Sequence, residues 1–191
     1  KHPNRLWRRH AQRLLVERAQ SDVIPQLIEL LEDSTVDETG NNAGVTHALW
    51  TLHGLPAAAG NRLQEVPAEL HRSLLTHAAA GVRRNALLTL PASSQSIEWI
   101  TSADLLHDAD AQVQLAALLT LADMPADPRA AEALAGLLSE SQFLQDHTLK
   151  DALTCAAATQ ARSFLTAALH SVDNTSPAAG EERGSAFDAL E

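Results

Sequence analysis

Apolar residues along this chain recur every three to four positions, in short stripes separated by polar turns. The segment Val23-Ile-Pro-Gln-Leu-Ile-Glu-Leu-Leu31 places apolar side chains at 23, 24, 27, 28, 30 and 31, one face of a helix. Pro25 falls in its first turn, where a missing N–H costs nothing. Similar stripes predict helices over residues 66–77, 97–107, 128–139 and 161–171. The links between them, such as residues 32–42 and 123–128, carry the Asp, Asn, Gly and Pro that turns require. No alternating apolar–polar run predicts a sheet.

A second set of stretches alternates with the first and resembles itself. It comprises Trp7-Arg-Arg-His-Ala-Gln-Arg-Leu-Leu15, Val45-Thr-His-Ala-Leu-Trp-Thr-Leu52, Val82-Arg-Arg-Asn-Ala-Leu-Leu-Thr-Leu90 and Val113-Gln-Leu-Ala-Ala-Leu-Leu-Thr-Leu121. A weaker copy is Leu149-Lys-Asp-Ala-Leu-Thr-Cys-Ala156. The shared alanine falls at Ala11, Ala48, Ala86, Ala117 and Ala152, at intervals of 37, 38, 31 and 35 residues. That is the length of a two-helix repeat. One hairpin cannot bury its apolar face alone, but stacking hairpins builds a continuous core. The small alanine permits close helix approach, and leucines one and four positions later (Leu49 with Leu52, Leu87 with Leu90) fill the seam. The predicted fold is therefore all-α, an αα-superhelix of about four to five hairpins over residues 1–172. Residues 173–191 read as a polar linker or tail. Its last two residues, Leu190-Glu191, match a vector-encoded junction.

These stretches resemble the HEAT-repeat family over about residues 5–171, which implies a solenoid used for binding and spacing. A narrower resemblance rests on Pro3-Asn-Arg-Leu-Trp-Arg-Arg-His-Ala-Gln-Arg-Leu-Leu15 together with Ala48-Leu-Trp-Thr-Leu-His-Gly-Leu55. Both look like the HEAT segment of large bacterial multidomain proteins. In that family a β-propeller similar to sugar or sorbosone dehydrogenases precedes the segment, and a domain with a Cys-x-x-Cys-His haem c motif follows it. The resemblance implies a connector within a periplasmic or exported oxidoreductase. It places haem c elsewhere in the parent protein, with no cofactor in this segment.

Composition sharpens this picture. Hydrophobic residues make up 45% and aromatics only 3%, with no Tyr, so the core must be built from Leu, Ala, Val and Ile. That favours packed helices over a sandwich. The net charge of −10 is uneven. Residues 1–20 carry six basic side chains and one acid, leaving eight basic and 23 acidic side chains elsewhere. An acidic body argues against a nucleic-acid groove, which needs clustered cations along the phosphates. Cys155 is the only cysteine, which excludes an internal disulfide or a cysteine-only zinc site. Its apolar neighbours predict burial. No apolar run reaches the roughly 18 residues of a membrane helix, so no membrane insertion is expected.

The chain has no His-Glu dipeptide, His-Glu-x-x-His, Gly-x-Ser-x-Gly or phosphate-binding loop. It is therefore expected to be non-catalytic, with no catalytic or metal-binding residue. Its partners are expected to be proteins or neighbouring domains of the same polypeptide. The position before the shared alanine carries His10, His47, Asn85 and Asp151, with Ala116 interrupting the column. Adjacent helices lie about 8–10 Å apart, too far for His10 and His47 to share a metal easily. A solvated polar ladder is one reading of this column. The other is a partner-binding surface of Arg9, His10, His47, Arg84, Asn85 and Asp151. Asp104 and His107 share a helix face beside Asp108 and Asp110, a metal-like set. Capping of the next helix by Asp108 or Asp110 is the simpler reading. Arg8-Arg9 and Arg83-Arg84 occupy equivalent positions and are expected to bridge to acids in a neighbouring turn. Trp7, Trp50 and Trp99 fall in apolar stripes and read as core or seam residues.

Overall fold

The computed structural model describes residues 2–57 and 62–175. Among them are eleven α-helices and no strand. They are α1 (Arg5–Arg18), α2 (Ile24–Leu31), α3 (Ala43–Gly54), α4 (Ala68–Leu75), α5 (Ala80–Thr89) and α6 (Ser94–Ser102). They continue with α7 (Ala111–Ala122), α8 (Pro128–Gly136), α9 (Ser141–Gln145), α10 (His147–Thr159) and α11 (Ala161–Thr175). Two layers form. In one, α1 packs on α3, α3 on α5, α5 on α7 and α7 on α10. In the other, α4 packs on α6, α6 on α8 and α8 on α11. The repeats of the sequence therefore appear as stacked helical hairpins, a solenoid-like arrangement.

The helix starts follow from their capping residues. Asn4, Asn42, Ser93, Asp110, Asp127 and Asp146 each accept a hydrogen bond from a free N–H in the first turn of the next helix. Such caps contribute about 1 kcal/mol each. Asp110 is thus the cap of α7, as its spacing predicts.

The core runs unbroken along the stack. Leu49, Leu52, Leu87, Leu118 and Leu121 are buried, and Leu90 packs against them half-buried. Each fully buried leucine contributes about 2 kcal/mol. Ala48, Ala86, Ala117 and Ala152 are buried at the helix crossings. Ala11 is exposed, because α1 packs chiefly on α3 and buries no residue of its own. The close approach of α1 and α3 uses Gly54, where an added Cβ would lie 3.0 Å from Val16 Cγ2.

Polar ties join the turns of successive hairpins. His77 Nδ1 accepts from the Ala79 N–H at 2.9 Å, which fixes the proton on Nε2, and Nε2 donates to Asp33 O at 3.2 Å. Arg83 donates to His77 O at 2.7 Å and forms a two-pronged pair with Asp108. The expected bridge to an acid in a neighbouring turn is therefore present at Arg83, whereas Arg8 bonds backbone carbonyls and Arg9 and Arg84 make no ion pair among the described residues. Gln160 makes a similar tie on the other side, accepting from the Asp127 N–H at 2.8 Å.

Several expectations are corrected. Cys155 is exposed, since Leu149, Ala152, Leu153 and Ala156 form the buried stripe of α10 and position 155 lies outside it. Trp7 is 57% exposed on the sparsely covered α1. The helix predicted over 97–107 ends at Ser102, because Asp104 adopts a left-handed φ of 53° before a short 3-10 turn, Leu105–His107. The short helix α9 has no counterpart in the sequence reading. Helix α11 continues to Thr175, past the expected boundary at 172. The remainder of the expected tail, residues 176–191, lies outside the described residues. No described helix is long and apolar enough to cross a membrane.

Candidate functional site

Helices α1, α3 and α5 lie side by side and enclose an open cleft of about 670 Å³. Arg5, Arg9 and Gln12 project into it from α1, at the i, i+4, i+7 spacing of one helix face. His47 comes from α3 and Asn85 from α5. Asp37 and Asn41 close the rim.

The groups in the cleft are unequal in freedom. Arg8 is tethered, donating to the carbonyls of His2 and Pro3, both at 2.7 Å. Arg5 and Arg9 are exposed and make no ion pair among the described residues. His47 Nδ1 meets Gln12 Oε1 at 2.6 Å. Burial lowers the His47 pKa, and the positive charges of Arg8, Arg5 and Arg9 lower it further. His47 is therefore neutral at pH 7, donating from Nδ1 to the amide oxygen. Trp50 Nε1 donates to Asn85 Oδ1 at 2.7 Å, while Asn85 Nδ2 donates to Gly81 O at 2.6 Å. Asn85 is thus fixed between two helices. Asp37 is held below the usual carboxylate range by the Thr39 hydroxyl, then by the Asn41 N–H, with Arg8 adding a small field.

The structure brings together only some of the predicted surface. Arg9, His47 and Asn85 share this cleft. His10 turns to a second, adjoining cleft of about 640 Å³ with Leu6, Trp50 and His53, into which Arg9 also reaches. Arg84 is exposed and lines neither cleft. Asp151 sits on α10, where it pairs with His147 at 3.1 Å, and lines neither cleft. The column therefore splits: the position before the alanine lines this cleft in α3 and α5, but in α1 it faces the adjoining cleft beside Trp50 and His53. Arg5 and Gln12 were missed by the column argument. Their spacing from Arg9 on one helix face is the signal that finds them.

The Asp104–His107 pair is a structural tie. His107 Nδ1 meets Asp104 Oδ1 at 2.5 Å and Nε2 meets Glu140 Oε1 at 2.8 Å. The hydrogen bond that His107 donates to Asp104 raises the His107 pKa, burial opposes it, and Glu140 reinforces it. The carboxylates lie on opposite edges of the ring and do not converge on one point. Among the described residues no group of three ligand-type side chains is placed to hold a metal.

Chemically, the α1–α3–α5 cleft offers guanidinium and amide donors to an acceptor. Its lining carries three arginines against one carboxylate. Guanidinium groups suit carboxylates because their planar N–H fork matches both oxygens. Comparison with protein-family models, with curated proteins and with solved structures gives no match.

Proposed function

We propose that this chain is a non-catalytic interaction or spacer module of HEAT type within a larger bacterial protein. In this reading it links a dehydrogenase-like propeller to a haem c domain, so the parent is an exported oxidoreductase. The two-layer stack supports a spacer, because the main helix contacts run between neighbouring hairpins, each of which adds length to the stack. The narrower family reading rests on the residues around Trp7 and Trp50 quoted above.

The observation that carries the interaction reading is the cleft on α1, α3 and α5, with two arginines free of ion pairs among the described residues. A free-standing HEAT adaptor is the second reading. The connector is favoured over it by α1, whose Leu6, Trp7 and Leu14 are 69%, 57% and 49% exposed. Apolar residues spaced along one helix flank suit a permanent neighbour in the same polypeptide. A solenoid enzyme is the least supported, since the carboxylate of the cleft, Asp37, is engaged by the Thr39 hydroxyl and the Asn41 N–H, and the imidazole of His47 by Gln12.

Charge reversal tests the surface. Arg5→Glu and Arg9→Glu are each expected to weaken association with the flanking domain by about tenfold or more, read by calorimetry. Helix content by circular dichroism stays unchanged. Unchanged affinity in both variants counts against this surface.

A further inference from the structure

We infer that the cleft between α1, α3 and α5 binds a short acidic peptide segment, its carboxylates seated on Arg5 and Arg9. The inference rests on the interaction reading above and names the chemistry of the partner.

Three observations converge. First, Arg5 and Arg9 are exposed, one helical turn apart, and no described carboxylate neutralises them. Six other arginines are already paired, among them Arg83 with Asp108, Arg129 with Asp127 and Arg13 with Glu17, while Arg84 and Arg162, unpaired among the described residues, lie outside this cleft. Second, the floor is fixed before any ligand arrives. Asn85 is held by Trp50 and Gly81, and His47 by Gln12. A preorganised donor set loses little entropy on binding. Third, the positive region is short. The guanidiniums of the cleft all come from α1, while the turn before α7 carries Asp108, already paired with Arg83, and the capping Asp110. A long polyanion such as a nucleic acid needs cations spaced along its backbone. Helix α7, next in the layer, carries none. One or two carboxylates on a peptide fit the two free guanidiniums.

The site should also take up a proton. His47 faces Arg5, Arg8 and Arg9 on α1, and Asp37 and His2 near its rims, while α5 offers only the uncharged Asn85. Bound carboxylates screen the arginines and favour the imidazolium, so affinity rises as pH falls through the His47 transition.

The test uses the 191-residue chain and an acetylated, amidated peptide of alternating Glu and Gly, with binding read by fluorescence anisotropy at constant ionic strength. The wild type binds the peptide. Arg5→Glu/Arg9→Glu lowers affinity by at least about tenfold, the loss expected when charged hydrogen-bond donors are reversed. The charge-matched Arg72→Glu/Arg162→Glu, on α4 and α11, leaves affinity within about twofold. Binding tightens from pH 7.5 to about pH 5.5 in the wild type, and His47→Gln removes that slope while keeping a partner for Gln12. Equal losses in both double variants overturn the inference, since they show net charge alone. Tighter binding of an oligonucleotide at the same two arginines overturns it in favour of nucleic acid. No peptide binding, with the flanking-domain contact still sensitive to Arg9→Glu, overturns the inference and leaves the interaction reading standing.

Discussion

Arg83 and Asp108 meet across 25 residues of sequence through two parallel hydrogen bonds, each 2.7 Å, that clamp α5 to the turn before α7. Their side chains are only 16% and 7% exposed. Burial alone would raise the Asp108 pKa, but Arg83 and the Asp110 N–H overcome it and hold the carboxyl low. Breaking one partner leaves the other buried and unpaired.

Arg83→Ala is therefore expected to destabilise the fold by about 3 kcal/mol, and Asp108→Ala by a similar amount. Replacing both, as Arg83→Met/Asp108→Leu, should recover most of that loss. Urea unfolding measures all three. A double variant as unstable as the sum of the singles would show that the pair is not the cause.

The histidines make stability depend on pH in opposite directions. His107 gains two carboxylate partners and its pKa is raised. Its contribution is complete below the unfolded value of about 6.5 and disappears as pH rises through the higher folded value. The melting-temperature gap between wild type and His107→Gln should therefore be wider at pH 6 than at pH 8. His71 behaves oppositely. It is buried against Trp99 with ring centroids 4.8 Å apart, and burial lowers its pKa. Its contribution is present above about pH 6.5 and is lost on acidification through the lower folded value. His71→Phe should flatten the fall in melting temperature between pH 7 and pH 5. An unchanged slope would remove His71 from the account.

Much of the stack was legible because helical periodicity and small-residue spacing are local signals. The alanines at 48, 86, 117 and 152 mark helix crossings, and the capping Asp110 sits where the spacing places it. What failed depended on neighbours. Trp7 and Ala11 repeat the pattern of buried positions, yet α1 lacks the covering helix that would bury them. Cys155 has apolar neighbours in sequence, but helical rotation turns it away from the stripe. The break at Asp104 could not be read from periodicity, since Leu105 and Leu106 continue the apolar pattern and are buried in a 3-10 turn. For the candidate site, repeat register found Arg9, His47 and Asn85. It also included Arg84 and Asp151, because equivalent register does not ensure a shared cleft.

Gly54 offers a test of how α1 is seated. A Cβ there would meet Val16 Cγ2 at 3.0 Å and Cγ1 at 3.3 Å. Gly54→Ala should cost about 1 kcal/mol through overpacking, despite the better helix propensity of alanine. Val16→Ala in the same chain should relieve most of that cost. A stabilised Gly54→Ala would show that α1 and α3 are less closely packed than described.

Amide hydrogen exchange tests the central claim most directly, by comparing this chain alone with the same residues inside the longer polypeptide proposed here. Helix α1 buries no residue of its own, so its amides should exchange readily in the isolated chain. In the longer polypeptide, α1 should become protected by tenfold or more as a neighbouring domain covers Leu6, Trp7 and Leu14. Equal exchange of α1 in both proteins would contradict the account of this segment as a connector that binds through its first helices.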